Sequence, residues 1–109
     1  VFQSVQERAA TGAKARAFGT NRNQNDMAPD VVIGSAVLDV PSAFVRVATL
    51  VKNGEFSAAP IRLGMKDGTV SFVPNAALFR QLPDDLRRAV ADVEALIRSG
   101  ALLVPRGDF

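Results

Sequence analysis

The chain contains no cysteine and no histidine. Without cysteine it can form neither disulfides nor thiolate metal sites, and without histidine it lacks the commonest general base and the commonest zinc ligand. Tryptophan and tyrosine are absent too, so that its aromatic residues are seven phenylalanines. The polar side chains that remain are amides, hydroxyls, carboxylates and cationic groups, a set that favours binding over catalysis.

Charge of either sign is sparse and scattered. Thirteen Lys and Arg against eleven Asp and Glu give a formal net charge of +2, with no basic stripe that would indicate nucleic-acid binding. No apolar run approaches the ~20 residues that a membrane-spanning helix needs. A composition that is 48% hydrophobic and 22% charged is typical of a globular domain.

Common catalytic and phosphate-binding motifs are missing as well. Gly12 and Gly19 lack the companion glycines of a dinucleotide or Walker loop. Ser35 is not in a Gly-x-Ser-x-Gly elbow, and Asp84 and Asp85 are neighbours whose carboxylates diverge on a predicted helix. We therefore expect no enzymatic activity and no cofactor.

The spacing of apolar residues predicts the order helix, strand, strand, helix, hairpin, helix, which is an α/β pattern. The first three elements are a helix over residues 1–10, a short strand ending at 17–19, and a buried parallel strand at 31–33. The later ones are a helix capped at residues 39–42 and ended by Gly54, a hairpin turning at residues 66–69, a helix over residues 82–99, and an extended tail at residues 102–105.

Two of the predicted helices have an apolar face that core packing would explain. On the middle helix this face comprises Phe44, Val47, Ala48 and Val51. On the last helix it comprises Leu86, Ala89, Val90, Val93, Leu96 and Ile97.

A polar loop, residues 20–26, separates the first two predicted strands. It carries the side-chain amides of Asn21, Asn23, Gln24 and Asn25, together with Arg22 and Asp26. Such groups could hydrogen-bond a small polar ligand at the end of a strand, where open α/β sheets bind ligands. A solvated turn would have the same composition, because Asn and Asp are ordinary turn residues. Asp26 and Asp30 could hold a hard cation, but solvated loop carboxylates are far commoner and we expect no metal.

Several short segments occur in an order that resembles a known family. They are Gly19-Thr-Asn-Arg-Asn-Gln24, Ala28-Pro29-Asp30-Val-Val-Ile-Gly-Ser35, Val51-Lys-Asn-Gly54-Glu-Phe56, Leu63-Gly-Met-Lys-Asp-Gly-Thr-Val70, Leu82-Pro83, Arg98-Ser-Gly100 and Val104-Pro105. Together they resemble the carboxyl-terminal third of the basic membrane protein family. These are type I solute-binding proteins of ABC importers, and purine nucleoside receptor lipoproteins form one branch of the family.

The resemblance implies a two-lobed α/β protein of the type I periplasmic-binding-protein fold, with parallel sheets flanked by helices. Residues 1–19 would belong to the second lobe and residues 20–30 to a hinge and cleft loop. Residues 31–56 would supply a strand and a helix of the first lobe, and residues 57–109 would return to the second lobe.

The resemblance also implies the ligand-binding residues. Asn21 would contact the ligand, with Arg22, Asn23 and Gln24 lining or bracing the cleft. In the nucleoside-binding branch the position of Asn21 is acidic, and a lysine stands where this chain has Leu38. The expected ligand is therefore a small polar, largely uncharged solute, with nucleosides and nucleobases among the candidates.

The expected function is the substrate-binding component of an ABC importer. Its partners would be a small-molecule ligand and the transporter permease, without nucleic acid. It would lie in the periplasm or on the outer face of the cell membrane, tethered as a lipoprotein through a segment upstream. A sensor or regulatory domain of the same fold, a fragment of an α/β enzyme and a structural domain without a ligand are the alternatives.

The opening Val1-Phe2-Gln3 has no initiator methionine and reads as the middle of a helix. We therefore expect a piece of a larger protein. Its isolated apolar helix face, with Phe44 and Val51, would favour self-association or a domain swap.

Overall fold

A three-stranded mixed sheet organises the chain. The structure is a computed structural model that describes residues 1–105, so residues 106–109, at the end of the predicted segment 57–109, lie outside the described residues. The strands β1 (Ala17–Asn21), β2 (Val32–Leu38) and β3 (Val70–Pro74) follow one another across the sheet. Strand β2 runs parallel to β1 and antiparallel to β3, and the predicted α/β class is confirmed.

Within residues 1–105 four α-helices accompany this sheet: α1 (Phe2–Ala10), α2 (Val40–Lys52), α3 (Ala76–Phe79) and α4 (Asp84–Ser99). The predicted ends of the longer helices are confirmed, because local signals determine them. Asp39 caps α2 by accepting a hydrogen bond from the Ser42 amide at 3.0 Å. Gly100 ends α4 in the left-handed conformation, with φ of 79°, where a residue without a Cβ atom fits best. No helix of residues 1–105 has the length and apolarity to cross a membrane.

The predicted hairpin around residues 66–69 is wrong. A turn does form, in which the Thr69 amide donates to the Gly64 carbonyl at 3.1 Å and Gly68 has a φ of 75°. Residues 53–69 contain no strand that could pair across this turn. Instead β3 pairs with β2, where Val70 lies opposite Leu38. The Asp-Gly signal reports only the local turn, whereas a distant strand supplies the pairing.

The buried core is small and lies beneath α1. Ala28, Val31 and Val32 have no exposed surface. The partly buried residues packed against them are Phe2, Val5, Ala9 and Ala17. Helix α1 therefore packs on the segment that enters β2.

The predicted burial of the α4 face is wrong for this chain, whereas the α2 face is uncovered, as predicted for a piece of a larger protein. Neither helix contains a buried residue; Phe44 is 72% exposed, Val51 57% and Leu86 46%. Between α4 and the sheet lies an open cavity of about 200 Å³, lined by Phe18, Phe72 and Phe79 among others. The amphipathic patterns predicted the helices correctly, but the surfaces that would cover their apolar faces are not among residues 1–105.

Candidate functional site

The carboxyl ends of β1 and β2 meet at one end of the sheet. Asn21, the last residue of β1, lies opposite Val37, and Leu38 follows as the last residue of β2. Arg22 begins the chain segment that leaves β1. We name Asn21, Arg22 and Leu38 the carboxyl edge; in open α/β sheets, ligands bind outside the carboxyl ends of the strands.

Asn21 has an unusual backbone. Its φ is 71°, and it is the one non-glycine residue with positive φ among the described residues. Asparagine tolerates the left-handed region better than most residues, and here it turns the chain out of β1. The side chains of Asn21 and Arg22 are exposed and make no hydrogen bond within residues 1–105, which leaves their polar groups available to a ligand.

Asn23 and Gln24 brace the loop with their side-chain oxygens. Oδ1 of Asn23 accepts a hydrogen bond from the Asn25 amide at 3.1 Å. Oε1 of Gln24 accepts one from the Thr20 amide at 3.0 Å. Asn23 and Gln24, two of the four predicted residues, therefore stabilise the backbone around Asn21 and Arg22. The predicted loop also begins later than residue 20, because Thr20 and Asn21 belong to β1.

Sequence reasoning named Asn25 only as a loop amide and Ser35 only as a serine outside a catalytic motif, and it missed that both are buried. Ser35 is completely buried and Asn25 is 8% exposed. The Ser35 hydroxyl donates to Oδ1 of Asn25 at 2.9 Å and accepts from the Gln24 amide at 3.0 Å. Nδ2 of Asn25 donates to the Val73 carbonyl of β3 at 3.2 Å. The available signal was a serine within a buried strand, since a buried hydroxyl needs partners.

Gly19 lets the polar loop lie close to β1. A Cβ atom at this position would meet Oγ of Ser35 and would lie 2.9 Å from Cβ of Gln24. Any larger residue would therefore push the loop away from the strand.

The structure places the two carboxylates considered for a cation, Asp26 and Asp30, in different environments. Oδ1 of Asp30 accepts from Nε2 of Gln6 at 2.8 Å, which ties the loop to α1. Asp26 is exposed in the short 3₁₀ turn Asn25–Met27. In the part of the chain that the structure describes, no group of three metal-ligating side chains is close enough to hold a metal ion.

Asp39 follows the carboxyl edge and has an altered acidity. A hydrogen bond from the Ser42 hydroxyl, with a second from the Ser42 amide, lowers the pKa of the Asp39 carboxyl below its ordinary value. The carboxylate remains fully exposed and caps the first turn of α2. Its negative charge therefore stands at the positive end of the helix dipole.

Comparison with known proteins gives the fold a context. No family model matches the chain. Over 87 residues, 80% of the chain, it is 31% identical to a purine-binding protein of Brucella abortus strain 2308. It superposes on a solute-binding protein of an ABC transporter system from Aeropyrum pernix K1 with a TM-score of 0.71, over 98% of its length and at 22% identity. The chain shares the fold of this part of the Aeropyrum protein.

A further solved structure has the same fold and a different description. It is a transcriptional activator of the comK gene from Bacillus halodurans, with a TM-score of 0.71 over 95% of the chain at 20% identity. Below 25% identity such likeness shows the fold alone. The chain spans 24% of the Brucella protein, 38% of the Aeropyrum protein and 35% of the Bacillus protein.

Proposed function

We propose that the chain is part of the substrate-binding component of an ABC importer and that its ligand is a purine base or nucleoside. The observation that carries the proposal is the uncommitted amide of Asn21 at the carboxyl edge. It stands in a chain that is 31% identical to a protein described as purine-binding.

The chemistry of the carboxyl edge suits a neutral, flat ligand. The amide of Asn21 offers a donor and an acceptor side by side, the combination that asparagine uses to bind the edge of adenine. Leu38, which is 41% exposed, supplies an apolar surface against which a base could lie. Arg22 adds donors for a carbonyl or hydroxyl oxygen of the ligand.

The remaining parts of the proposal follow from the resemblance to the basic membrane protein family. They are a periplasmic or cell-surface location, a lipid anchor upstream of this chain, a permease as partner and no enzymatic activity. The assignment of residues 1–19, 20–30, 31–56 and 57–109 to lobes and hinge stays a prediction.

A small-molecule sensor is the second candidate. It is favoured by the transcriptional activator from Bacillus halodurans, which has the same fold over 95% of the chain. Both candidates require a ligand at the carboxyl edge. They differ in what the complete protein contacts, either a permease or the transcription machinery.

The test uses the complete protein that contains this chain. It is purified gently and denatured, any released small molecule is identified by mass spectrometry, and purines are then titrated while melting is followed by calorimetry. A purine that is released, and that raises the melting temperature with concentration, is the expected result. A protein that is empty and unmoved by purine bases and nucleosides would contradict the proposed ligand.

A further inference from the structure

We propose that Asn25 and Ser35 are positioning residues for ligand recognition. By their buried hydrogen bonds they fix the turn that presents Asn21 and Arg22. The inference rests on the proposed function, because it concerns the same carboxyl edge, but its structural half is testable without a ligand.

The topology creates the need for such residues. Strands β1 and β2 are parallel and adjacent, so the chain leaving Asn21 must return along the sheet before it enters β2. A helix usually makes this return and satisfies its own backbone, but residues 22–31 contain only the short 3₁₀ turn Asn25–Met27. Backbone groups that lie over a sheet face without helix bonds need side-chain partners.

In the hydrogen bonds of Asn25 and Ser35, each group can act only as the donor or only as the acceptor that the structure shows. Nδ2 of Asn25 donates to the Val73 carbonyl, and this contact leaves Oδ1 of the same amide facing the Ser35 hydroxyl. Ser35 donates to that oxygen, so its lone pairs accept the Gln24 amide. Reversing any member would oppose two donors or two acceptors, and the arrangement is therefore unique.

Hydrogen bonds hold the backbone both before and after Asn21 and Arg22. Before it, the Thr20 amide donates to Oε1 of Gln24. After it, the Gln24 amide is held by Ser35 and Oδ1 of Asn23 accepts from the Asn25 amide. Asn21 and Arg22 are thus presented between two anchored points while their own side chains remain uncommitted.

Asn75 offers a matched control within the chain. It is 8% exposed, as is Asn25, and its Nδ2 also donates to carbonyls of another segment, those of Pro29 and Val32 at 2.9 and 2.8 Å. Its Oδ1 accepts from the Ala77 amide at 3.1 Å. None of these partners lies in residues 20–24, so its loss removes stability without releasing the turn.

The experiment compares Ser35→Ala and Asn75→Ala in the complete protein. Purine affinity is measured by calorimetry below the melting temperature of every variant, and hydrogen exchange is followed for peptides covering residues 20–25 and 32–38. For Ser35→Ala we expect affinity about tenfold weaker, because a released turn would present Asn21 and Arg22 in only about one molecule in ten, with faster exchange confined to residues 20–25. For Asn75→Ala we expect a lower melting temperature and affinity within about twofold of wild type.

Wild-type affinity, or wild-type exchange at residues 20–25, in Ser35→Ala would overturn the inference. If Ser35→Ala does not fold, Ser35→Cys fills the same position with a somewhat larger sulfur atom that is only a weak donor and acceptor, and the same two readouts apply to it. If the wild-type protein binds no purine, the proposed function fails. Hydrogen exchange at residues 20–25 in Ser35→Ala then decides alone whether Ser35 anchors this turn.

Discussion

At Asn21 an unusual backbone conformation and the proposed ligand contact fall on one residue. Its φ of 71° is unfavourable for alanine but not for glycine. In the complete protein we expect Asn21→Gly to weaken purine binding by about 1–3 kcal/mol, which is about 5- to 150-fold, because a hydrogen bond to the ligand is lost. Isothermal titration calorimetry measures this change.

The two substitutions at this position separate side chain from backbone. Asn21→Ala removes the same amide and in addition strains the turn, so it should lower the melting temperature more than Asn21→Gly does. Equal affinity of Asn21→Gly and wild type would show that the amide does not contact the ligand.

Gly19 is predicted to tolerate no side chain. In Gly19→Ala the new Cβ would lie 2.9 Å from Cβ of Gln24, and the resulting displacement should destabilise the complete protein by about 1–3 kcal/mol. Gly64→Ala is the control, because a Cβ there meets nothing within 4 Å. Chemical denaturation of both variants checks the difference, and an unaltered midpoint for Gly19→Ala would contradict the close approach of the loop.

At the scale of elements, the start of α2 depends on the ionisation of Asp39. The Ser42 hydrogen bonds lower the pKa of this carboxyl in the folded state. The cap therefore contributes its full stability at pH values above 3.8, the pKa of the carboxyl in the unfolded chain. That contribution is lost as the pH falls through the lower pKa that the carboxyl has in the folded state. We expect the first-turn amides of α2 to lose protection in that acid range, measured as hydrogen exchange relative to the intrinsic rate of each amide at the same pH.

Ser42→Ala tests the cause of this lowered acidity. It removes the hydroxyl, the largest contributor, and leaves the backbone amide. The pKa of Asp39 should therefore rise toward its ordinary value, as followed by the carboxyl resonance in an NMR titration. An unchanged titration midpoint would assign the lowering to another group.

Local signals explain which elements could be predicted from sequence. Asp39 with Ser42 and the left-handed Gly100 act within one turn of chain, and the helix ends they predict are present. The pairing of β3 with β2 joins residues distant in sequence, and the sequence around Asp67 gives no sign of it. The contact between Asn25 and Val73 is equally non-local. At the candidate site, the polar loop was therefore predictable and the hydrogen bonds that shape it were not.

At the scale of the whole molecule, the chain exposes more surface than a monomer of its size. Its accessible area is 8101 Å², whereas a compact protein of this mass has about 5,800 Å². Its radius of gyration is 17.3 Å, against about 13 Å for a compact domain of this length. The excess of about 2,300 Å² is well above the roughly 800 Å² that each partner contributes to a standard protein interface.

We therefore expect the isolated 109 residues to self-associate at micromolar concentration. Phe44→Lys would place a charge on the α2 face, where the side chain is 72% exposed, and should shift the sedimentation profile toward monomer. Ala95→Lys, at an exposed position of α4 outside its predicted apolar face, is the control and should leave association unchanged. A monomeric wild-type chain would contradict this prediction.

The uncovered faces of α2 and α4 also affect how unfolding of the isolated chain can be observed. A dye that becomes fluorescent on apolar surface will bind the folded chain and give a high signal before heating begins, as it does with molten globules. Intrinsic fluorescence offers no substitute, since the chain has neither tryptophan nor tyrosine. Far-ultraviolet circular dichroism of its helices is the optical signal by which melting of this chain should be followed.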